Sequence, residues 1–305
     1  MPRKLRVEYA GAVYHVISRG NYRKDLFTVG ESGAAFERAL FETVERCGWE
    51  LLAYVIMSNH YHLAVRTPEA NLVAGMKWLQ STFATRFNRF AGERGHVFEG
   101  RYKSLIVTED QPLMGLVDYI HLNPVRAKMK RIENLEEHQL SSYAKFWQRT
   151  SGCAGLSREA TLSYYGLPRS KAGMRKYRER LELAEEADPK QRKVLFQRYC
   201  RGWFLGSPTA KRELAKELVK ANPLVERDGA DQRSLNEARW ENIVREEMTR
   251  SGKAECDIDQ DLKGAPWKVA IAKRLRRETT VGNPWIAERL SMGHRNHVSL
   301  LVNRE

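Results

Sequence analysis

With 305 residues, 42% of them hydrophobic, the chain is long enough for two or three units and too apolar for a disordered polymer. Its 52 Lys and Arg against 38 Asp and Glu leave a formal charge of +14, which favours a polyanionic partner, nucleic acid first, because neutralised phosphates release counterions. Cys47, Cys153, Cys200 and Cys256 form no CxxC pair, and no apolar run approaches the length of a membrane span. A disulfide framework, a zinc knuckle and a membrane-embedded protein are therefore not expected.

Ala12 to Ser18 is strand-like and runs into an Arg19-Gly20-Asn21 turn. Ser32 is placed to cap a helix carrying Phe36, Leu40, Val44 and Cys47 at helical spacing. Trp49 to Met57 and His60 to Arg66 read as two strands about a Ser58-Asn59 turn, and Asn71 as the cap of a helix with Leu72, Met76, Leu79, Phe83, Phe87 and Phe90 inward. Lys103 to Thr108 gives another strand and Leu113 to Leu122 a helix. The order is β-α-β-β-α-β plus one helix, so residues 1–150 are expected to form an α+β, ferredoxin-like (RRM-like) antiparallel sheet with helices on one face.

Residues 151–265 read as a helical linker or accessory region, with charged stretches at Met174 to Glu186 and Thr209 to Lys220 and breaks at Gly166-Leu167-Pro168 and Asn222-Pro223. Alternating charge such as Arg175, Lys176, Arg178 and Arg180 among glutamates ordinarily marks a solvated helix face. Residues 266–305 form a third, all-α unit. A basic helix, Lys268 to Arg277, has Val269, Ala272 and Leu275 on one side. Two short helices, Trp285 to Leu290 and His294 to Val302, follow about Ser291-Met292-Gly293. The pair is a helix-turn-helix candidate with Arg295, Asn296, His297 and Ser299 on the second helix; an ordinary helical hairpin has the same outline.

On a strand, His60 and His62 share a face. That suits a pair of metal ligands, and it equally suits two polar side chains on a solvated face. Tyr119 and Asn123 are four apart, hence on one helix face, with Pro124 ending or bending the helix beside them. A phenol can be a nucleophile and an amide oxygen a hard ligand, but a tyrosine anchoring its helix to the core fits the spacing too.

Five stretches in order narrow these alternatives: Tyr14-His15-Val16-Ile17-Ser18-Arg19-Gly20-Asn21, Met57-Ser58-Asn59-His60-Tyr61-His62-Leu63, Phe98-Glu99-Gly100-Arg101-Tyr102-Lys103-Ser104, Tyr119-Ile120-His121-Leu122-Asn123-Pro124-Val125-Arg126-Ala127 and Ser141-Ser142-Tyr143. Together they resemble the HUH single-tyrosine transposases, and specifically the REP-associated tyrosine transposases. The resemblance covers about the first half of the chain. It implies a bacterial, cytoplasmic, nucleoid-associated enzyme that cleaves and rejoins single-stranded or hairpin DNA. Tyr119 would be the nucleophile, and His60, His62 and Asn123 would hold a divalent metal, Mg or Mn. Attack would leave a 5′-phosphotyrosine and a free 3′-hydroxyl, with no nucleotide cofactor. Arg19, Asn21, Arg101, Tyr102, Lys103 and Arg126 lie in the matched stretches and are the expected DNA contacts near the site, Tyr102 by stacking on a base.

His121 has no assigned role, and helical spacing turns it away from the Tyr119 face. The terminal unit resembles, over few residues, the DNA-binding domain of the bacterial replication initiator, with Gly293-His294-Arg295-Asn296-His297 entering the second helix; that implies duplex DNA as a second partner. By the same resemblance, either a monomer or a homodimer is expected. Two competing readings are a non-catalytic hairpin-binding protein acting at repeats and a relaxase-like nickase; a second tyrosine motif or a helicase domain, expected of the latter, is not evident.

Overall fold

The computed structural model describes residues 7–148, 155–156, 158–168, 170–186, 189–221 and 233–303. The basic N-terminal hexapeptide, Cys153 and the Asn222-Pro223 break lie outside them. Packing divides the chain into two compact units, Arg6–Ser207 and a second built on Pro208–Glu305.

The first unit contains β1 (Ala12–Arg19), α1 (Ser32–Cys47), β2 (Glu50–Ile56), β3 (His60–Thr67), α2 (Leu72–Ala91), β4 (Lys103–Val107) and α3 (Asp110–His121). After the short α4 (Asn123–Arg126) come α5 (Ser142–Gln148), α6 (Arg158–Tyr164), α7 (Lys171–Glu186), α8 (Pro189–Cys200) and β5 (Phe204–Leu205). The sheet order is β2-β3-β1-β4-β5. β1 runs antiparallel to β3 and β4, and β2 antiparallel to β3. The α+β order expected from the sequence is present. β5, two residues pairing parallel with β4, is an addition too short to leave a period in the sequence.

Strand alternation sorts side chains between two covered faces. Toward α1 and α2, Tyr61 meets Phe27, Phe36 and Phe98, with ring centroids 4.6–6.2 Å apart, and Phe83 closes the cluster from α2. Ser18 and Tyr61 share the amide of Gln80 on this side. The opposite face, which the pattern leaves open, carries α3 and a core of Val55, Leu116, Val117, Ile120, Tyr143, Phe146, Met174, Tyr177 and Leu181. α7 therefore belongs to this unit and not to a separate linker. Its Met174, Tyr177 and Leu181, at i, i+3 and i+7, form a buried stripe inside a charged sequence. Two of its arginines pair locally: Arg178 donates to Glu136 and Tyr143, and Arg180 to Asp118.

Two expected caps resolve differently. Ser32 is already helical and its hydroxyl donates to the Leu26 carbonyl. Asn71 precedes α2 but makes no cap bond, because its amide is taken by Trp49 and the Cys47 carbonyl. α1 instead ends cleanly at Gly48, whose φ of +63° glycine adopts without strain.

The second unit comprises α9 (Pro208–Ala221), α10 (Arg233–Arg250), α11 (Asp257–Gln260), α12 (Pro266–Glu278), α13 (Asn283–Arg289) and α14 (Arg295–Asn303). Val244, Ile271, Ala272, Leu275, Ile286, Leu290, Met292 and Val298 form its core. α13 and α14 are joined through Ser291 and Gly293, both at positive φ. Part of the basic run on α12 serves packing. Lys268 is buried with its Nζ on the Ile258 and Asp261 carbonyls, and Arg274 is held by Glu246, Glu247 and Glu278. Among the described residues no helix is long and apolar enough to cross a membrane.

Candidate active site

β3 presents His60 and His62 on one face, with ring centroids 5.2 Å apart and planes at 84°. His62 is 3% exposed and lies opposite Ile17 on β1 and Val55 on β2. Diagonally across the β1–β3 pair stands His15, fully buried, its ring stacked on His62 at 5.1 Å and its Nε2 2.9 Å from His62 Nδ1. His15 Nδ1 donates in turn to the Tyr199 carbonyl at 2.9 Å, in the last turn of α8 where helix carbonyls lack intrahelical partners. His60 is half-buried and its Nδ1 donates to Asn59 Oδ1 at 2.8 Å. The Asn59 amide nitrogen donates to the Arg23 carbonyl, which fixes the direction of that amide.

α3 brings Tyr119 edge-on to His62 at 5.3 Å and to His15 at 5.9 Å. The phenol does not stand open to solvent. Tyr119 is 4% exposed, its ring packs on Phe196 and Tyr199 of α8, and its Oη lies 3.1 Å from Cys200 Sγ. The Arg126 guanidinium covers the rings of Tyr119 and Phe196 at 4.9 and 3.7 Å. Burial, reinforced by Cys200, pushes the phenol well above its usual range, with Arg126 opposing. As the sequence anticipates, α3 stops before Pro124. Asn123, 6% exposed, donates its amide nitrogen to the Tyr119 carbonyl at 2.8 Å, and its Oδ1 accepts nothing among the described residues.

Burial holds the three site histidines neutral. It lowers His15 to about 3 and His60, with help from Arg19, to about 4, and it takes His62 well below the usual histidine range, aided by its two histidine neighbours. Neutral imidazole is the form that ligates metal. The Nε2 atoms of His60 and His62 have no protein partner among the described residues, so the donor set fits a divalent ion on two nitrogens plus oxygen. No group of three His, Cys, Asp or Glu converges among the described residues, which leaves the Asn123 amide, water or phosphate to supply the rest.

The expected DNA contacts are scattered in kind. Arg19 is paired with Glu99, Asn21 holds the His96 carbonyl and the Tyr22 amide, and Lys103 donates to the Cys200 carbonyl. Arg101 is exposed. Tyr102 is only 6% exposed, so its ring offers no stacking face here. Tyr22 is 93% exposed, in a turn where Tyr22 and Arg23 both take positive φ and the Arg23 carbonyl accepts from Asn59. In the second unit, Arg295, Asn296 and His297 are exposed at the start of α14, Ser299 is half-buried, and His297 Nδ1 donates to the Met292 carbonyl.

Sequence reasoning left His15, Asn59, Tyr199 and Cys200 without roles. His15 and Asn59 lie inside two of the motif stretches, but strand register, which no local pattern reveals, decides which imidazole faces His62. Cys200 is 81 residues from Tyr119 and carried no local signal. His121 does turn away: buried, it bonds the Tyr177 hydroxyl and the Ser142 hydroxyl at 2.7 Å each.

The family model described as "Transposase IS200 like" matches residues 8–123, from just before β1 to Asn123. Among solved structures, the chain is similar to a REP-associated tyrosine transposase bound to a REP hairpin, at 18% identity over 52% of this chain and 96% of the other, with a TM-score of 0.41. It is also similar to a protein of Deinococcus radiodurans R1 described as a transposase, at 24% identity over 36% of this chain and 90% of the other, with a TM-score of 0.29. No curated protein matches the chain.

Proposed function

We propose that the first unit cleaves and rejoins single-stranded, hairpin-bearing DNA with Tyr119 as nucleophile, within a transposase-like role. The observation that carries this reading is the convergence of His62 and Tyr119, rings 5.3 Å apart, within the segment that matches the transposase family. Tyr119 Oη attacks the scissile phosphorus and the bond from phosphorus to the 3′ oxygen breaks. The phenolic proton leaves to solvent and the departing oxygen takes one up as a 3′-hydroxyl. The DNA stays on Tyr119 as a 5′-phosphotyrosine, and the reverse attack rejoins strands without a nucleotide cofactor.

His60 and His62, with Asn123 as third ligand, would hold a divalent ion, Mg or Mn, which when bound polarises a phosphoryl oxygen and offsets transition-state charge. Asn123 is carried beside Tyr119 by its bond to the Tyr119 carbonyl. Arg126, already against the Tyr119 ring, is placed to neutralise phosphate there. Arg19, Asn21, Arg101 and Lys103 supply further polar and cationic groups for the strand, and Tyr22 replaces Tyr102 as the stacking aromatic. The second unit binds duplex DNA through the exposed Arg295, Asn296 and His297 of α14, with Ser299 behind them.

One observation favours the alternative of a hairpin-binding protein that does not cleave: Tyr119 is buried under Phe196, Tyr199 and Cys200. Catalysis requires the end of α8 to withdraw when DNA enters. A labelled single-stranded hairpin incubated with the protein and Mn²⁺ separates the two. Catalysis yields a denaturation-resistant adduct that a chelator prevents; binding alone yields a complex that denaturant dissolves.

A further inference from the structure

We infer that His15 is a positioning residue that fixes His62 in the tautomer with Nδ1 protonated, so that His62 Nε2 carries the lone pair for the metal. The inference rests on the proposal that His62 is a metal ligand.

Protons are distributed along a buried chain of three groups, the Tyr199 carbonyl, His15 and His62. The Tyr199 carbonyl can only accept, so the 2.9 Å contact to it puts a proton on His15 Nδ1. A neutral imidazole with Nδ1 protonated has a bare Nε2, which can only accept. The 2.9 Å contact from that Nε2 to His62 Nδ1 then requires the proton to sit on His62 Nδ1. His15 is fully buried and His62 is 3% exposed, so no solvent competes for these nitrogens. His62 Nε2 is left as the free lone pair, on the strand face that also bears His60 and lies against Tyr119.

The adjoining ligand is prepared in the same sense by a different residue. Asn59 Oδ1 accepts from His60 Nδ1, its direction set by the Asn59 amide bond to the Arg23 carbonyl, so His60 Nε2 is bare as well. Both imidazoles are thus pre-set to offer Nε2. Outer partners of this kind orient ligand rings, and their loss costs roughly 10- to 100-fold in metal affinity.

The first measurement uses the unaltered protein, ¹⁵N-labelled at histidine and free of metal: two-bond ¹H–¹⁵N correlation spectra assign each ring's tautomer. The expected result is His15 and His62 both protonated at Nδ1; a His62 protonated at Nε2 overturns the inference. The second compares variants by Mn²⁺ titration. His15→Gln keeps an acceptor for His62 and loses the donor to Tyr199, whereas His15→Asn keeps that donor and loses the acceptor. Positioning predicts that His15→Asn weakens Mn²⁺ binding by roughly 10- to 100-fold, while His15→Gln stays within a few-fold of native. The reverse order, or equal native-like affinity in both, overturns it and leaves His15 as an anchor for α8. Failure of the unaltered protein to bind Mn²⁺ sinks the metal proposal itself, and the tautomer spectra still judge the hydrogen-bond chain.

Discussion

His62 and His121 are both buried histidines of the first unit, one beneath Tyr119 and the other two residues beyond it on α3, and they are wired differently. His121 has each ring nitrogen bonded to a protein hydroxyl, Tyr177 on one side and Ser142 on the other. Nothing is left over, and its work is to tie α3 to α5 and α7. His62 has one nitrogen bonded to His15, and the other has no partner among the described residues. Burial makes both neutral, but only His62 keeps a lone pair for something the protein does not supply. Identity and exposure therefore fail to separate a structural histidine from a proposed ligand; counting satisfied nitrogens distinguishes these two.

The sharpest break between the two is by substitution. His62→Ala is expected to lower adduct formation by on the order of 100-fold or more, since a lost metal costs several kcal/mol of transition-state stabilisation. Its unfolding free energy should also fall, by about 2–3 kcal/mol, because His15 Nε2 is left unpaired and a buried imidazole leaves a cavity. His121→Ala should cost stability to a similar degree but spare the chemistry. Two orphaned hydroxyls and a cavity cost about 3 kcal/mol in a denaturant titration, and adduct yield per folded molecule should stay within a few-fold of native. Equal effects of the two variants on adduct yield would erase the distinction.

A pH series tests the shared property, burial in the neutral form. His121 and His15 are pushed down to about 3, against about 6.5 in the unfolded chain. Between those values the unfolded state binds protons that the native state refuses. Stability is therefore complete above about pH 6.5 and falls as the pH drops toward 3, by up to about 1.4 kcal/mol per pH unit for each such histidine. Melting temperatures from pH 7 to 4 should show this slope, and His121→Phe should make it shallower by about one proton. A smaller effect concerns the cover over Tyr119. Cys200→Ala removes the Sγ contact that helps hold the phenol up, and should raise the rate of adduct formation a few-fold without altering Mn²⁺ affinity. An unchanged rate would mean that the rings of Phe196 and Tyr199, rather than the thiol, set access. In the second unit, Arg295→Ala should weaken duplex binding by a few-fold to tenfold, read by anisotropy at fixed salt; unchanged affinity would remove α14 as the contact surface.

Much of the sheet, with His60 and His62 on one strand face and Tyr119 on a helix, was legible from period alone, because strand alternation and helical spacing act between near neighbours; Asn123 instead opens the short α4. What stayed hidden is long-range. His15 meets His62 only through the β1–β3 register, and Cys200 and Tyr199 reach Tyr119 from across the unit. α7 read as a solvated helix because Met174, Tyr177 and Leu181 are three apolar residues among many charges, yet those three decide where it packs. Tyr102 sits in a motif stretch, but its burial between strand and core was not visible from its neighbours, whereas the exposed Tyr22 owes its position to a turn at positive φ.

Tyr119, buried in the resting protein, is proposed to become the DNA-linked nucleophile. The direct measurement is mass spectrometry of the peptide carrying DNA after reaction with a single-stranded hairpin and Mn²⁺. The expected result is a 5′-phosphate on Tyr119 and no adduct from Tyr119→Phe. An adduct on another residue, or one that persists in Tyr119→Phe, would contradict it.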